Sequence, residues 1–222
     1  MSIVKKHDFV EIEYTAKLKE DGTIFDTTNE KIAKENSLYD KNAEYSSIII
    51  CVGENHILKI LEEKMIGKET DKEYTFEISS ENAFGRKDAK LIQLIPTSKF
   101  RQQNIQPFPG LQLNIDGVFG VVKTVSGGRC LVDFNHPLAG KDLVYNVKVN
   151  RIVEDDKEKL SSILKNQFNI KDAEIEVKED STEIKLKNDI QKESQEEFKK
   201  IVEKTIPSIK NLSFNILEEK NK

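Results

Sequence analysis

Residues 9–27 read FVEIEYTAKLKEDGTIFDT. Val10, Ile12, Tyr14, Ala16 and Leu18 alternate with Glu11, Glu13, Thr15 and Lys17. A period of two marks a strand with one buried face. Asp21-Gly22 follows, a dipeptide suited to the positive φ of a tight hairpin turn. Ile24-Phe25-Asp26 then opens a second strand. The stretch therefore predicts an antiparallel hairpin, and the flanking sequence is read as additions to it.

Residues 27–46 are rich in Asn, Glu and Lys and read as a long polar loop. Such loops in compact domains are usually functional or mobile. Ile48–Val52 is a β-branched run and reads as a buried strand. Ile57, Ile60, Leu61 and Met65 fall at i, i+3, i+4 and i+8, one apolar face of a short helix. Gly67 stands where a helix C-terminal glycine belongs. Tyr74, Phe76 and Ile78 alternate again as a strand.

After Ala83-Phe84-Gly85 the text changes. Residues 86–133 hold Pro96, Pro107 and Pro109, with turn signals at Asp116-Gly117 and Gly127-Gly128. Short alternating runs lie between them, so the segment reads as a small all-β unit of hairpins. Residues 143–152, LVYNVKVNRI, return to a strand. Beyond Glu154-Asp155-Asp156 glycine disappears. Leu160, Ile163, Leu164 and Phe168 have helical spacing, and Ile175/Val177 and Ile184/Leu186 flank a turn at Glu179-Asp180-Ser181. Phe198, Ile201 and Val202 mark a second helix, and Leu212, Phe214 and Ile216 a last strand. The order α-β-β-α-β predicts a separate α+β domain over 156–222. A core that small is marginal alone, so docking or homodimerisation through this segment is expected to supplement it.

Composition narrows the function. Net charge is −4 over 222 residues, with 33% charged residues of both signs interspersed. No basic stripe supports nucleic-acid binding, and no apolar run reaches the ~20 residues of a membrane span. The polar start, Met1–Phe9, does not read as a leader. Cys51 and Cys130 fit no zinc or redox spacing and read as buried free thiols, which implies a reducing, cytoplasmic setting. His7, His56 and His136 have no metal-ligand spacing, and no phosphate-binding glycine loop or nucleophile elbow occurs. The chemistry expected is one that needs no nucleophile, metal or cofactor. X-Pro isomerisation is such a reaction: its barrier of about 18–20 kcal/mol comes from amide resonance, and no bond is made or broken. A catalyst need only hold the proline ring in an apolar cleft and favour the twisted imide.

Several segments resemble one family. Val10–Thr15 with Asp21–Thr27 resembles the opening of FK-binding-protein (FKBP) type isomerases. Gly53-Glu54-Asn55-His56-Ile57-Leu58 with Leu61-Glu62 is similar to the pocket-floor helix, and Met65-Ile66-Gly67-Lys68 to its exit. Glu81-Asn82-Ala83-Phe84-Gly85 resembles the family's aromatic-glycine segment. Asn135–Leu143, NHPLAGKDL, is similar to a signature of the SlyD-like branch, in which an insert-in-flap (IF) domain interrupts the isomerase domain.

The resemblance implies an α+β fold in which an antiparallel sheet wraps on a short helix. Its isomerase domain would comprise 1–85 and 134–154, and its IF domain 86–133. Tyr14, Phe25, Phe84 and Tyr145 would be aromatic walls. Ile57, Leu58 and Leu61 would form the floor, with the Leu58 N–H donating to a substrate carbonyl. Asp26 would be a polar rim group. Leu91, Ile92, Leu94, Ile95, Phe100, Phe108 and Phe119 would offer apolar surface to unfolded or proline-containing polypeptides. Leu61 replaces the floor tryptophan of drug-binding members, and Phe84 replaces a frequent tyrosine. His136 reads as a structural turn residue. The chain ends in Glu218-Glu219-Lys220-Asn221-Lys222 and not in a His-rich metal-binding tail. The rival reading is a holdase whose pocket is idle.

Overall fold

A computed structural model describes residues 2–115 and 117–217. Asp116 of one expected turn, and the terminal Glu218–Lys222, lie outside the described residues. In chain order the elements are β1 (Phe9–Leu18), β2 (Ile24–Thr27), α1 (Glu30–Glu35), β3 (Ile48–Cys51), α2 (Lys59–Met65) and β4 (Lys72–Ile78). Then come β5 (Ile92–Pro96), α3 (Thr97–Gln102), β6 (Gln112–Ile115), β7 (Val118–Ser126), β8 (Arg129–Asp133) and β9 (Leu143–Ile152). Last are α4 (Asp156–Phe168), β10 (Ala173–Val177), β11 (Thr182–Leu186), α5 (Lys192–Thr205) and β12 (Leu212–Ile216). They form two compact units, one of residues 1–77 with 144–222 and one of residues 78–143.

In the first unit β1 is the central strand. β2 folds back on its second half, with Thr27 opposite Thr15 and Asp26 opposite Ala16. Gly22, at φ +74°, makes the turn that an L side chain would strain. β3 pairs with the first half of β1, from Phe9 opposite Cys51 to Ile12 opposite Ile48. β9 and β4 complete the sheet in the order β2-β1-β9-β4. Val10, Ile12 and Ala16 are buried and Glu13 is exposed, as the alternation in sequence requires.

Two local readings change. The polar stretch 27–46 contains α1, whose Asn29 side chain accepts from the Ile32 N–H as an N-cap. Tyr39 then stacks on Tyr45, ring centroids 5.6 Å apart. The Tyr45 hydroxyl donates to Leu38 O and accepts from the Asp40 N–H. Only Ala33 of α1 is buried, so no apolar stripe announced this helix. α2 is shorter than its apolar spacing suggested, because Ile57 lies in the preceding turn and Leu58 is the N-cap. Its C-cap is Ile66, already extended at φ −60° and ψ 130°, and Gly67 takes φ +83° in the turn that follows.

The C-terminal elements follow the expected order. β10 and β11 are antiparallel, while β11 and β12 are parallel, with α5 as the crossover. Their core is not separate, however. Leu160, Ile163, Leu164, Ile184, Phe198 and Val202 form one continuous buried cluster with Phe9, Cys51 and Val153. Polar contacts reinforce it: Arg151 pairs with both Glu11 and Glu158, and Asn166 Nδ2 donates to Ile49 O at 2.7 Å. A segment too small to bury its apolar face alone buries it against the five-stranded sheet of the first unit.

The second unit is a four-stranded antiparallel sheet in the order β5-β8-β7-β6. It is not all-β: α3 follows β5 and buries Phe100 over Leu113, Val122, Cys130 and Val132. Both cysteines are buried and unpaired.

Candidate active site

The β1–β2 register sets the first half of the site. Asp26 lies opposite Ala16, and Tyr14 shares the Ala16 face two residues away. Tyr14 and Asp26 are thus diagonal cross-strand neighbours within side-chain reach. The Tyr14 hydroxyl donates to Asp26 Oδ2 at 2.8 Å. A β-bulge at Ala16/Lys17 breaks strict alternation beside them. Tyr145 on β9 closes the group. Its ring centroid lies 6.0 Å from that of Tyr14, and 6.2 Å from that of Phe25 in an edge-to-face arrangement.

These three rings are apolar walls with one charged group at an exposed edge. Tyr145 is buried, Tyr14 and Phe25 are half-buried, and Asp26 is exposed. Burial first, and then the Asp26 carboxylate, push the Tyr14 phenol above its ordinary range. Burial, aided by the same carboxylate, pushes the Tyr145 phenol up to about 12. Both hydroxyls therefore stay protonated at neutral pH, and Tyr14 remains a donor that fixes the Asp26 carboxylate.

Ile57, Leu58 and Leu61 lie at the start of α2. Ile57 and Leu58 are half-buried. Leu61 is only 1% exposed and offers no open surface to a substrate. As N-cap, Leu58 contributes an N–H from the set that helix starts leave without an intrahelical acceptor.

Glu62 was not singled out from sequence as a functional residue, yet it organises the turn that leads into α2. It is fully buried. Its carboxylate accepts the N–H groups of Gly53 at 2.7 Å, Asn55 at 3.1 Å and Ile57 at 3.0 Å. Positive φ at Gly53 (+96°) and Asn55 (+59°) turns alternate N–H groups inward. The available signal was a glutamate beside Leu61 on the apolar side of a helix, preceded by the turn residues Gly53-Glu54-Asn55.

Phe84 belongs to the second unit. It stacks face to face on His136, centroids 4.3 Å apart. His136 Nδ1 accepts the Leu138 N–H, as a structural turn residue does. Of the seven apolar residues expected on the inserted unit, Leu91, Leu94, Phe108 and Phe119 are exposed, with Leu94 at 61% and Phe108 at 56%. Ile92 and Ile95 are half-buried. Phe100 departs from the expectation: at 4% exposure it is a core residue under α3 and offers nothing to a ligand. Val118, which the sequence also offers as apolar surface, is exposed beside Phe119. Among the described residues, no His, Cys, Asp or Glu cluster of three or more could hold a metal ion, and no helix is long and apolar enough to cross a membrane.

Comparison with known proteins fits this geometry. Residues 93–138 match the family described as FKBP26, IF domain. The short-type peptidyl-prolyl cis-trans isomerase of Methanocaldococcus jannaschii is 35% identical over 152 residues, which cover 68% of this chain and 96% of that protein. A probable FKBP-type 16 kDa peptidyl-prolyl cis-trans isomerase of Pseudomonas fluorescens is 35% identical over 103 residues, 44% of this chain and 67% of that protein. The FKBP-type isomerase SlyD of Vibrio cholerae is 30% identical over 102 residues, 44% of this chain and 50% of that protein. The chain belongs to the FKBP-type peptidyl-prolyl cis-trans isomerases and carries their IF domain.

Proposed function

We propose that this isomerase acts on unfolded or partly folded polypeptide, held by the IF unit while its X-Pro bonds are turned over in the aromatic pocket. The observation that carries the pocket reading is the Tyr14/Phe25/Tyr145 group with Asp26 held at its edge by the Tyr14 hydroxyl. A proline ring packs against the aromatic walls. The Leu58 N–H takes a carbonyl of the substrate, and Asp26 orients the peptide beside the twisting imide. An apolar surrounding disfavours the charge-separated resonance form that keeps the imide planar, so the barrier falls without a covalent or metal-assisted step.

The chaperone half of the reading is supported by Leu91, Leu94, Phe108, Val118 and Phe119, large apolar side chains that solvent reaches in one small unit. Apolar surface of that kind marks binding sites. Weak capture raises the local concentration of prolines near the pocket without any new contact to them. The cytoplasm is the proposed setting, where the buried thiols Cys51 and Cys130 stay reduced.

The test is a Leu94→Ser/Phe108→Ser/Phe119→Ser variant. Its kcat/KM on an X-Pro tetrapeptide should stay within about twofold of the parent. Its catalysis of a proline-limited refolding reaction should fall on the order of tenfold or more, as captured substrate is lost. Equal losses in both assays would sink the two-module reading.

A further inference from the structure

Residues 53–58 form the turn that leads into α2 and carries two floor positions, Ile57 and Leu58. From inside, Glu62 holds the N–H groups of residues 53, 55 and 57. The side chains between them, Glu54 and His56, engage the C-terminal helices instead. Glu54 Oε2 lies 2.8 Å from Lys204 Nζ on α5, and Glu54 Oε1 lies 3.1 Å from His7 Nδ1. His56 Nε2 lies 2.8 Å from the side-chain amide of Gln167 on α4.

The backbone fixes the tautomer of His56. The Cys51 N–H donates to His56 Nδ1 at 3.3 Å. A backbone N–H can only donate, so Nδ1 carries the lone pair and Nε2 the hydrogen. Gln167 then presents its amide oxygen, a choice that the two-fold shape of the amide leaves open. Neutral His56 satisfies both contacts and the imidazolium cannot. Burial lowers the His56 pKa, against the pull of the Glu62 and Glu54 carboxylates that face it.

We propose that the C-terminal segment is a working part of the isomerase, with Gln167 and Lys204 as positioning residues that hold the 53–58 turn from outside while Glu62 holds it from inside. Their effect is to fix Ile57 and the Leu58 N–H against the substrate. This inference rests on the reading of those two residues as the pocket floor.

The experiment uses the full chain with Gln167→Ala, Lys204→Ala and the double variant, and Ile57→Ala as a direct probe of the floor. In the double variant kcat/KM on an X-Pro tetrapeptide should fall on the order of tenfold, the scale of a small misplacement of a binding group. The loss should fall mainly in kcat, because the aromatic walls are untouched. Side-chain 15N NMR should show the Nε2–H tautomer of His56 in the parent. In Gln167→Ala water reaches the ring, so its pKa and the acid limb of kcat/KM should both move to higher pH. At a pH high enough to keep His56 neutral, Gln167→Glu keeps an acceptor for Nε2–H and should recover most of the activity lost in Gln167→Ala, while its carboxylate moves the acid limb to still higher pH. Parental kcat/KM in the double variant, with Ile57→Ala impaired, would overturn the outer grip alone. Parental kcat/KM in Ile57→Ala would overturn the floor reading itself. Loss of activity with an unchanged His56 spectrum and no recovery in Gln167→Glu would mean general destabilisation and would also overturn the proposal.

Discussion

The hydroxyl of Tyr14 and the carboxylate of Asp26 are best treated as one device. The phenol stays protonated and donates over 2.8 Å, so it fixes where the exposed carboxylate points. Asp26→Ala should lower kcat/KM on an X-Pro tetrapeptide by about tenfold, less than an enclosed electrostatic group would cost because water screens the rim. Tyr14→Phe keeps the aromatic wall and removes only the donor, so its loss should be smaller. If the hydroxyl acts through the carboxylate, the double variant should be no worse than Asp26→Ala. Additive losses would instead give Tyr14 an independent contact with substrate. Alternation and the turn made the hairpin legible in sequence, but the roles of Tyr14 and Asp26 were legible only through the family resemblance of Val10–Thr27. Glu62 was not legible, because a glutamate on a short helix ordinarily faces water. Its burial is tolerable only through three backbone donors that sequence order does not reveal.

At the scale of elements, alternation and helical spacing found the strands of the sheet, α2, and all five C-terminal elements. They missed α1 and α3, each six residues long and each burying a single side chain. A helix held by its cap and one anchor leaves no periodic stripe to read. The entry to the inserted unit shows a polar device of the same hidden kind. Asp133, at the end of β8, accepts from the Asn135 N–H and Nδ2 and from Lys87 Nζ. Asn135 also exchanges hydrogen bonds with the Asp88 backbone, so the two chain segments at this end of the unit are clamped together. Burial pushes the Asp133 carboxyl up, but the bonds from Asn135 and Lys87 outweigh it and hold the pKa down to about 2, against an ordinary 3.8. A depressed folded-state pKa adds stability that is complete above the unfolded value and disappears as pH falls through the folded one. Asp133→Asn should therefore destabilise the inserted unit by about 2 kcal/mol at pH 7 and by almost nothing near pH 2. Amide exchange in β7 and β8 at the two pH values reads this directly. An equal effect at both would show that the carboxylate's charge is not the source.

At the scale of the whole molecule, the C-terminal segment decides how the chain can be divided. Its composition sets it apart, and a sequence boundary at Glu154–Asp156 suggests that it could be cut away. The packing says otherwise, because Phe9 and Cys51 of the isomerase sheet, with Val153 just past β9, share one buried cluster with α4, β11 and α5. What the sequence could not show is which surface receives the segment, since Ile49 and Cys51 read as buried in either case. Cys51 reports on this cover. It is fully buried, and burial, with the nearby Glu54 and Glu62 carboxylates, pushes its thiol pKa up to about 12. Reactivity follows thiolate and access, so Cys51 should be inert in the intact chain. Cys130, buried in the separate core of the inserted unit, is an internal control. Truncation after Asp155 should make Cys51 react rapidly with a disulfide reagent while Cys130 stays protected, and should lower the melting temperature. Phe198→Ala, which removes one buried ring from the shared cluster at a cost of about 3–5 kcal/mol, should open Cys51 to an intermediate degree. Continued protection of Cys51 in the truncated chain would show that the isomerase sheet closes its own core, and that the C-terminal segment is a passenger on it.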